Sequence, residues 1–254
     1  MYGAIIGDIV GSRFEWNNIK SKDFDFFTDQ CVYTDDSVLT IAVFDALQLC
    51  NGLYENLSEV VIERFRYYGR RYPHCGYGTG FYRWLWSEKP TPYNSWGNGA
   101  AMRVSPCGWF GKTLDEVKDL AYKVTCVSHN HPEGLKGAEA TAVAVYLARI
   151  GKSKEEIKEM MKDYYRIDFT LDEIRPTYRF EGSCQGTVPY ALEAFFESTS
   201  FEDAIRNAIS IGGDSDTLGA ITGAIAEAFY GIPEEIIHAA NRYLGFKETV
   251  KYPN

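Results

Sequence analysis

The hydrophobic pattern of the chain is strongest near its C-terminal end. Residues 211–231 read IGGDSDTLGAITGAIAEAFYG, so two glycines and two aspartates precede an unbroken run of small and apolar residues. The small residues recur every three or four positions, which places them on one face of an α-helix. Neighbouring helices can approach that face closely, and its members are Gly219, Ala220, Gly223, Ala224 and Ala228. The pattern predicts a buried helix with an acidic first turn.

A second apolar run with an acidic start lies near the N-terminus. The sequence YTDDS at residues 33–37 is followed by VLTIAVFDALQLC, which predicts a helix as far as residue 50. Capping boxes at Thr113 with Glu116 and at Ser153 with Glu156 mark two more helix starts. Apolar periodicity and these boxes predict further helices at residues 58–72, 114–125, 137–151, 154–165, 187–198, 201–210 and 233–243.

Two stretches give weaker signals. Gly3, Gly7 and Gly11 recur every four residues, which fits a helical face, but the short apolar segment around them also fits a strand. Residues 166–186 have no clear period and are predicted to form a loop. No convincing alternating strand, no Pro/Ser-rich linker and no repeat divides the chain. We therefore predict one all-α domain over residues 1–254.

Each acidic helix start combines carboxylates with a hydroxyl group. One carries Thr34, Asp35 and Asp36, and the other carries Asp214, Asp216 and Thr217. Carboxylates crowded at a buried site raise one another's pKa unless a cation neutralises them, and oxygen ligands suit Mg²⁺ or Mn²⁺ better than Zn²⁺. Two such clusters from distant parts of the chain fit a two-metal site. Simple helix capping by the aspartates is the alternative.

The C-terminal cluster fits neither a calcium-binding loop nor a membrane anchor. An EF-hand loop needs a bidentate Glu at its twelfth position, where this chain has Ile225. A membrane-spanning helix needs a longer apolar run than this one, which also contains Glu227.

Several single residues admit both a chemical and an ordinary interpretation. Glu15 is either a functional carboxylate or a surface or salt-bridged one. The glycine loop CGYGTG at residues 75–80 is either an anion-binding loop or a plain connection. In SWGNGAAMR, at residues 95–103, Trp96 offers a stacking ring beside exposed backbone amides, and Asn98 is alternatively a plain turn residue. His129 and His131 lack further zinc ligands nearby, which favours hydrogen bonding over a zinc site.

Composition narrows the class of protein. Apolar residues make up 45% of the chain, which is enough for a globular core. The formal charge of −9 disfavours nonspecific nucleic-acid binders and anionic-membrane binders. The first residues show no basic segment of a secretory signal, and the 6 cysteines form no C-x-x-C pair. We therefore expect a cytoplasmic protein with reduced thiols.

Taken in chain order, these segments resemble the ADP-ribosylglycohydrolase family. The resemblance extends over nearly the whole chain and is carried by AIIGDIVGSRFE, YTDDSVLT, GYGTG, WGNGAAMRVSP, SHNHPEGLKGAEATA and IGGDSDTLGAITGAIAEAFYG. It implies an orthogonal helical bundle around two Mg²⁺ or Mn²⁺ ions. It also implies hydrolysis of the bond between C1″ of an ADP-ribose and a protein side chain, most often arginine.

The resemblance also implies roles for individual residues. Catalytic roles fall to Glu15, as the base for the attacking water, and to Asp35, Asp36 and Asp216. The implied metal ligands are Thr34, Asp35, Asp36, Asp214, Asp216 and Thr217. The implied contacts to the ADP-ribose are Gly78, Ser95, Trp96, Gly97, Asn98, Gly99 and His131.

The resemblance leaves the reaction partner open. Ser37 and Ser215 replace a common Thr, and Trp96 replaces a common Tyr. The chain is short for the family, which leaves the protein target undefined. Further conjugates, such as ADP-ribosyl-serine or O-acetyl-ADP-ribose, are alternatives, as is a non-catalytic ADP-ribose-binding or crystallin-like protein. A metal-dependent phosphatase or nuclease fits less well, because no basic groove is evident. The oligomeric state is unknown.

Overall fold

Helices form the regular structure of this protein. The computed structural model describes residues 1–244, which contain one isolated bridge between Gly97 and Ser183 and no β-strand. Short 3-10 helices cover Ser12–Phe14 and Asn98–Ala100. The α-helices of the described residues are α1 Tyr2–Gly11, α2 Asp35–Cys50, α3 Leu57–Arg71, α4 Thr79–Trp86, α5 Ser105–Phe110, α6 Leu114–Thr125, α7 Pro132–Arg149, α8 Lys154–Met161, α9 Leu171–Ile174, α10 Cys184–Phe196, α11 Phe201–Ser210, α12 Ser215–Tyr230 and α13 Glu234–Ala240. The all-α prediction is confirmed.

Helix α12 lies at the centre of the bundle. It packs against α1, α7, α10 and α11, and every residue from Ser215 to Glu227 is buried. The predicted small-residue face is therefore confirmed as a packing surface. A helix with neighbours on several sides needs small residues wherever a backbone approaches it closely.

The glycines of α1 are such a point of close approach. The segment is a helix with all of its residues buried, which settles the choice between helix and strand. A Cβ atom on Gly7 would lie 1.9 Å from the carbonyl oxygen of Gly219, and one on Gly3 would lie 2.1 Å from that of Gly223. Gly11 meets the backbone of Ser215 in the same way. The four-residue glycine period therefore serves backbone contact between α1 and α12.

Three short helices were not predicted, and two of them, α4 and α5, lie next to segments of the predicted site. In α4, Phe81, Trp84 and Leu85 are buried at helical spacing, but the helix is only 8 residues long and follows directly on the glycine loop. The second is α5, with 6 residues and a proline in its first turn. Short helices of this kind are stabilised by tertiary packing more than by their own period.

The predicted loop at 166–186 is partly wrong. It contains α9, whose N-cap Thr170 forms a full capping box with Glu173, and α10 begins at Cys184 rather than at residue 187. The predicted capping box of Ser153 and Glu156 is confirmed. At α6 only half of the box forms, because the carboxylate of Glu116 accepts from the backbone of Lys112.

One hydrophobic core extends through the described helices. Among these residues, no helix has the combination of length and apolar composition that crossing a bilayer requires. The prediction of one domain over residues 1–254 includes ten residues outside the described part and stays a prediction.

Candidate functional site

A cavity of about 400 Å³ opens where α2 and α12 begin. Its walls also include the segment after α1, the glycine loop before α4 and the short 3-10 helix at Asn98–Ala100. Most of the side chains and glycines predicted to be functional line it, namely Glu15, Thr34, Asp35, Asp36, Gly78, Ser95, Gly97, Asn98, Gly99, Asp214, Asp216 and Thr217. The predicted residues Trp96 and His131 do not.

The fold brings the two acidic clusters together. Carboxylate oxygens of Asp8, Asp36 and Asp216 lie within 4.8 Å of one another, and so do those of Glu15, Asp214 and Asp216. Asp216 belongs to both groups, and all of these residues except Glu15 are buried. Two overlapping groups of oxygen ligands can each hold a hard cation.

Asp8 is a member that sequence reasoning missed. Its carboxylate accepts hydrogen bonds from the backbone N–H of Thr34 at 2.9 Å and of Ser37 at 3.1 Å, and from both hydroxyl groups. Burial raises the pKa of Asp8 to about 6, although these hydrogen bonds oppose the shift. The available signal was a lone acid inside the apolar stretch YGAIIGDIVG. Asp8 therefore fixes the start of α2 and adds a carboxylate to the site.

Capping by an aspartate side chain, the alternative to a metal site, is found at neither helix. Thr34 is the N-cap of α2, and its side chain accepts from the backbone N–H of Asp36. Asp214, at the same position of α12, makes no side-chain capping bond. Its carboxylate instead accepts from Asn98 Nδ2 at 2.7 Å. Capping does not explain why Asp214 is an aspartate.

Asn98 is held from several sides. Its side-chain amide also donates to Thr187 Oγ1 at 3.1 Å, and its backbone N–H donates to the carbonyl oxygen of Gly182 at 2.8 Å. The side chain is buried. The structure therefore uses Asn98 to orient Asp214 from across the cavity, which goes beyond the turn residue that its sequence context allowed.

The carboxylates strongly disfavour one another's charge. Burial, followed by the charges of Asp8 and Asp35, raises the pKa of Asp36 well above its usual value. Burial and the charge of Asp214 do the same to the pKa of Asp216. Asp36 Oδ1 is buried and accepts no hydrogen bond from the described residues. An oxygen in that state is what a bound cation would satisfy, so the residues present fit a divalent metal.

Glu15 lies at the edge of this cluster, on the turn after α1. Its pKa is raised to about 7, first by burial and then by the charges of Asp214 and Asp8, while a hydrogen bond from the Trp16 side chain acts in the opposite direction. No ion pair of Glu15 occurs among residues 1–244. The surface or salt-bridged interpretation does not describe this side chain.

Two glycines and an asparagine set the approach to α12. Gly212 and Gly213 have φ angles of +71° and +81°, in the left-handed region that favours glycine. Asn18 Nδ2 donates to the carbonyl oxygen of Gly213 at 2.9 Å, and the Gly213 N–H donates to Asn18 Oδ1 at 2.8 Å. This double hydrogen bond ties the segment after α1 to the residue before Asp214. Sequence reasoning noted the glycines and missed Asn18.

The remaining wall consists of exposed backbone. The glycine loop is attached to α2, because the Asp35 N–H donates to the carbonyl oxygen of Cys75 at 2.7 Å. Gly78 is the N-cap of α4, and Gly97 is the N-cap of the 3-10 helix beside it. Such glycine-rich backbone suits close approach by an anionic ligand.

The two histidines occupy unexpected places. His131 is the N-cap of α7, where its Nδ1 accepts from the Glu133 N–H at 3.1 Å, and its ring meets that of Trp96 edge-on. His129 lines the cavity instead. Burial and the charge of Arg103 lower the pKa of His129 well below its usual value. His129 Nδ1 also hydrogen-bonds with Ser128 Oγ at 2.8 Å, so both histidines have the expected hydrogen-bonding role.

Comparison with known proteins gives one consistent family. The sequence pattern of the ADP-ribosylglycohydrolase family matches residues 1–250. The chain is 25% identical to ADP-ribosylhydrolase ARH3 of Homo sapiens, with 97% of this chain and 88% of the relative covered. It is 29% identical to ADP-ribosyl-[dinitrogen reductase] glycohydrolase of Rhodospirillum rubrum over 65% of this chain and 53% of that protein. It is also 27% identical to ADP-ribosylarginine hydrolase Tri1 of Pseudomonas putida, over 54% of this chain and 39% of that protein.

A solved structure agrees with the sequence comparisons. The fold matches a chain described as an ADP-ribosylglycohydrolase-related protein complex, with a TM-score of 0.69 at 22% identity, over 94% of this chain and 93% of that one. The predicted type of helical bundle is thereby confirmed. The family match over nearly the whole sequence shows that this chain belongs to the ADP-ribosylglycohydrolase family of hydrolases.

Proposed function

We propose that this protein uses two Mg²⁺ or Mn²⁺ ions to hydrolyse the bond between C1″ of ADP-ribose and a protein side chain, with arginine as the acceptor. The observation that carries the proposal is the shared position of Asp216 in two overlapping carboxylate groups inside one cavity. The arginine acceptor is supported by similarity to a hydrolase named for ADP-ribosylarginine. We also propose a cytoplasmic location, consistent with the free cysteines of the described structure.

The two groups of neighbouring carboxylates suggest which residues would bind each ion. Asp8, Asp36 and Asp216 form one set of oxygen ligands, and Asp214 and Asp216 contribute oxygens to the second, with Glu15 beside them. The predicted ligands Thr34, Asp35 and Thr217 lie on the same cavity wall. Bound ions would supply Lewis-acid chemistry and orientation of the sugar.

Within this proposal Glu15 is the general base. A general base must lie within hydrogen-bond reach of the attacking water, and a carboxylate oxygen of Glu15 lies within 4.8 Å of oxygens of Asp214 and Asp216. We assign the reacting end of the cavity to this position of Glu15 beside Asp214. Here Glu15 accepts a proton from the attacking water.

The aspartates and the glycine wall have separate tasks. As the bond at C1″ breaks, positive charge develops on the ribose, and the fixed negative side chains of Asp35 and Asp36 stabilise it. The backbone of Gly78, Gly97 and Gly99 faces the cavity where the diphosphate would lie. In this assignment Asn98 holds Asp214 in place and so connects the two parts of the site.

The test is product analysis with defined substrates. Purified protein with Mg²⁺ or Mn²⁺ is incubated with an ADP-ribosyl-arginine peptide, an ADP-ribosyl-serine peptide and O-acetyl-ADP-ribose, and the released ADP-ribose is measured by chromatography. We expect turnover of the arginine conjugate, and a loss of both metal binding and turnover in Asp216→Ala. Release of ADP-ribose from the serine peptide alone would show that arginine is not the acceptor. Tight binding of ADP-ribose by metal-loaded protein without any turnover would favour the non-catalytic alternative.

A further inference from the structure

Two aromatic side chains stand exposed at the mouth of the cavity. Trp16 is 81% exposed and Phe180 is 47% exposed. Their rings are stacked, with centroids 5.3 Å apart and planes 15° from parallel, and both residues line the cavity. Two aromatic rings exposed to solvent bury little apolar surface in the core. An exposed apolar patch at the edge of a cavity is typical of a ligand-binding surface.

Each ring of the pair lies close in sequence to a segment of the proposed site. Trp16 directly follows Glu15 and forms a side-chain hydrogen bond with its carboxylate. Phe180 precedes Gly182 by two residues, and the Gly182 carbonyl oxygen accepts the backbone N–H of Asn98 at 2.8 Å. The aromatic pair therefore connects the Glu15 side of the cavity with the Asn98 side.

The two segments that carry the rings are tied together. Lys20 Nζ donates to the carbonyl oxygen of Tyr178 at 2.8 Å, while Asn18 holds Gly213. Tyr178 itself is buried, and its hydroxyl donates to the carbonyl oxygen of Gly186 at 2.7 Å. The backbone under each ring is thus anchored, and the stack is a prearranged surface.

The position of the pair points to the part of the substrate it meets. A base must lie within hydrogen-bond reach of the attacking water, so the reacting C1″ atom lies near Glu15. The acceptor side chain is joined to C1″ and must extend from there to the solvent, because it belongs to a protein. Trp16, exposed beside Glu15, lies along that exit.

We propose that Trp16 and Phe180 form an acceptor subsite that selects a planar, cationic group, such as the guanidinium of arginine, over an aliphatic hydroxyl acceptor. This inference rests on the proposed function and adds the residues that set its specificity. Guanidinium groups stack on aromatic faces and are attracted to them electrostatically, most strongly on tryptophan. A serine acceptor has neither the plane nor the charge, so the aromatic pair gives it no comparable contact.

The experiment separates binding of the acceptor from binding of ADP-ribose. In the Glu15→Gln background, which keeps an oxygen for the Trp16 hydrogen bond, calorimetry gives Kd for an ADP-ribosyl-arginine peptide, an ADP-ribosyl-serine peptide and free ADP-ribose. We expect Trp16→Ala to raise Kd for the arginine conjugate about fivefold. The values for the serine conjugate and for ADP-ribose should stay within about twofold. Phe180→Ala should also raise Kd for the arginine conjugate.

Two further variants isolate the stacking. Trp16→Phe keeps an aromatic face but removes the indole N–H, so it should retain most of the arginine preference. Trp86→Ala removes a half-exposed tryptophan outside the cavity and should change nothing. Equal losses for all three ligands, or no loss in Trp16→Ala, would overturn the subsite. A lack of turnover by the unmutated protein would contradict the proposed function, while the Kd comparison would still decide the subsite.

Discussion

At the scale of single residues, Glu15 gives the most direct test of the proposed chemistry. Glu15→Gln keeps the size of the side chain and removes its ability to accept a proton. We expect kcat to fall at least about 100-fold, which is the usual contribution of a general base. The Kd for ADP-ribose should change little, because the ligand-facing backbone is untouched. Single-turnover hydrolysis and calorimetry measure the two effects.

A matched control for this change is Glu63→Gln, on the exposed face of α3. It alters the same chemical group away from the cavity and should leave kcat unchanged. Full activity of Glu15→Gln on the arginine conjugate would show that another group takes the proton.

Replacing Asp36 gives a second prediction at this scale, in which Tm rises without metal and the stabilisation by metal is lost. Its pKa is raised by burial and by neighbouring carboxylates, so the ionised side chain destabilises the metal-free protein near neutral pH. Asp36→Asn removes that charge and should raise the Tm of the protein in EDTA. The same change removes a ligand, so the additional rise in Tm on adding Mn²⁺ should largely disappear.

Differential scanning fluorimetry of both proteins with EDTA and with Mn²⁺ tests this pair of effects. A lower Tm for Asp36→Asn in EDTA would mean that Asp36 supports the fold in its own right. Because Asp45 lies on the same helix but forms an ion pair with Arg64 at 3.5 Å, Asp45→Asn is a suitable control.

At the scale of elements, the contact between α1 and α12 fixes the site. Gly7→Ala would place a Cβ atom 1.9 Å from the Gly219 carbonyl oxygen, and that backbone cannot yield locally. Alanine otherwise stabilises a helix relative to glycine by up to about 1 kcal/mol. We nevertheless expect a net loss of about 3 kcal/mol in the free energy of unfolding, since overpacking outweighs propensity. Urea denaturation measures the change.

The control for this prediction is Gly182→Ala, because its Cβ atom would meet nothing closer than 3.9 Å. It should change the free energy of unfolding by less than about 0.5 kcal/mol. If Gly7→Ala were equally mild, the two helices would have to be able to separate without loss of packing.

The same contact shows how far sequence reasoning reaches. The period of the glycines and of the small residues in 211–231 gave the correct faces, and the two acidic helix starts were found from local pattern alone. That these starts face one another depends on how α2 and α12 both pack against α1, which no local pattern encodes. Asp8 was missed for that reason: its role appears only when α2 begins against it.

The histidines show the same limit at shorter range. His129 and His131 are two residues apart, yet one lines the cavity and the other caps α7. Which of the two faces inward depends on where α7 begins. The resemblance to the family pointed to His131, and its predicted contact with ADP-ribose stays a prediction, as does that of Trp96.

At the scale of the whole molecule, the cavity concentrates negative charge in an already acidic protein. The chain carries a formal charge of −9. Asp35, Asp36, Asp214 and Asp216 line the cavity together with Glu15. Arg103 is the one Lys or Arg among the described lining residues, and its side chain is fully buried between Phe65 and Phe81 rather than paired with an acid. The fold therefore tolerates a cost that a bound cation can relieve.

This cost predicts how stability depends on pH. The pKa of Asp8 is raised to about 6 and that of Glu15 to about 7, so the folded protein binds protons that the unfolded chain releases at lower pH. A raised carboxyl pKa gives stability below the unfolded value near 4, and that stability is lost as the pH rises through 6 and 7. In EDTA, Tm should therefore fall between pH 5 and pH 8.

With Mn²⁺ the ionised carboxylates become ligands, so the gain in Tm from metal should be larger at pH 8 than at pH 5. Comparing thermal unfolding of the unmutated protein and of Asp36→Asn over this range isolates the contribution of Asp36 and of its repulsion by the neighbouring carboxylates, since the other titrating groups are common to both. A metal-induced gain that is the same at both pH values would show that the cation binds away from these carboxylates.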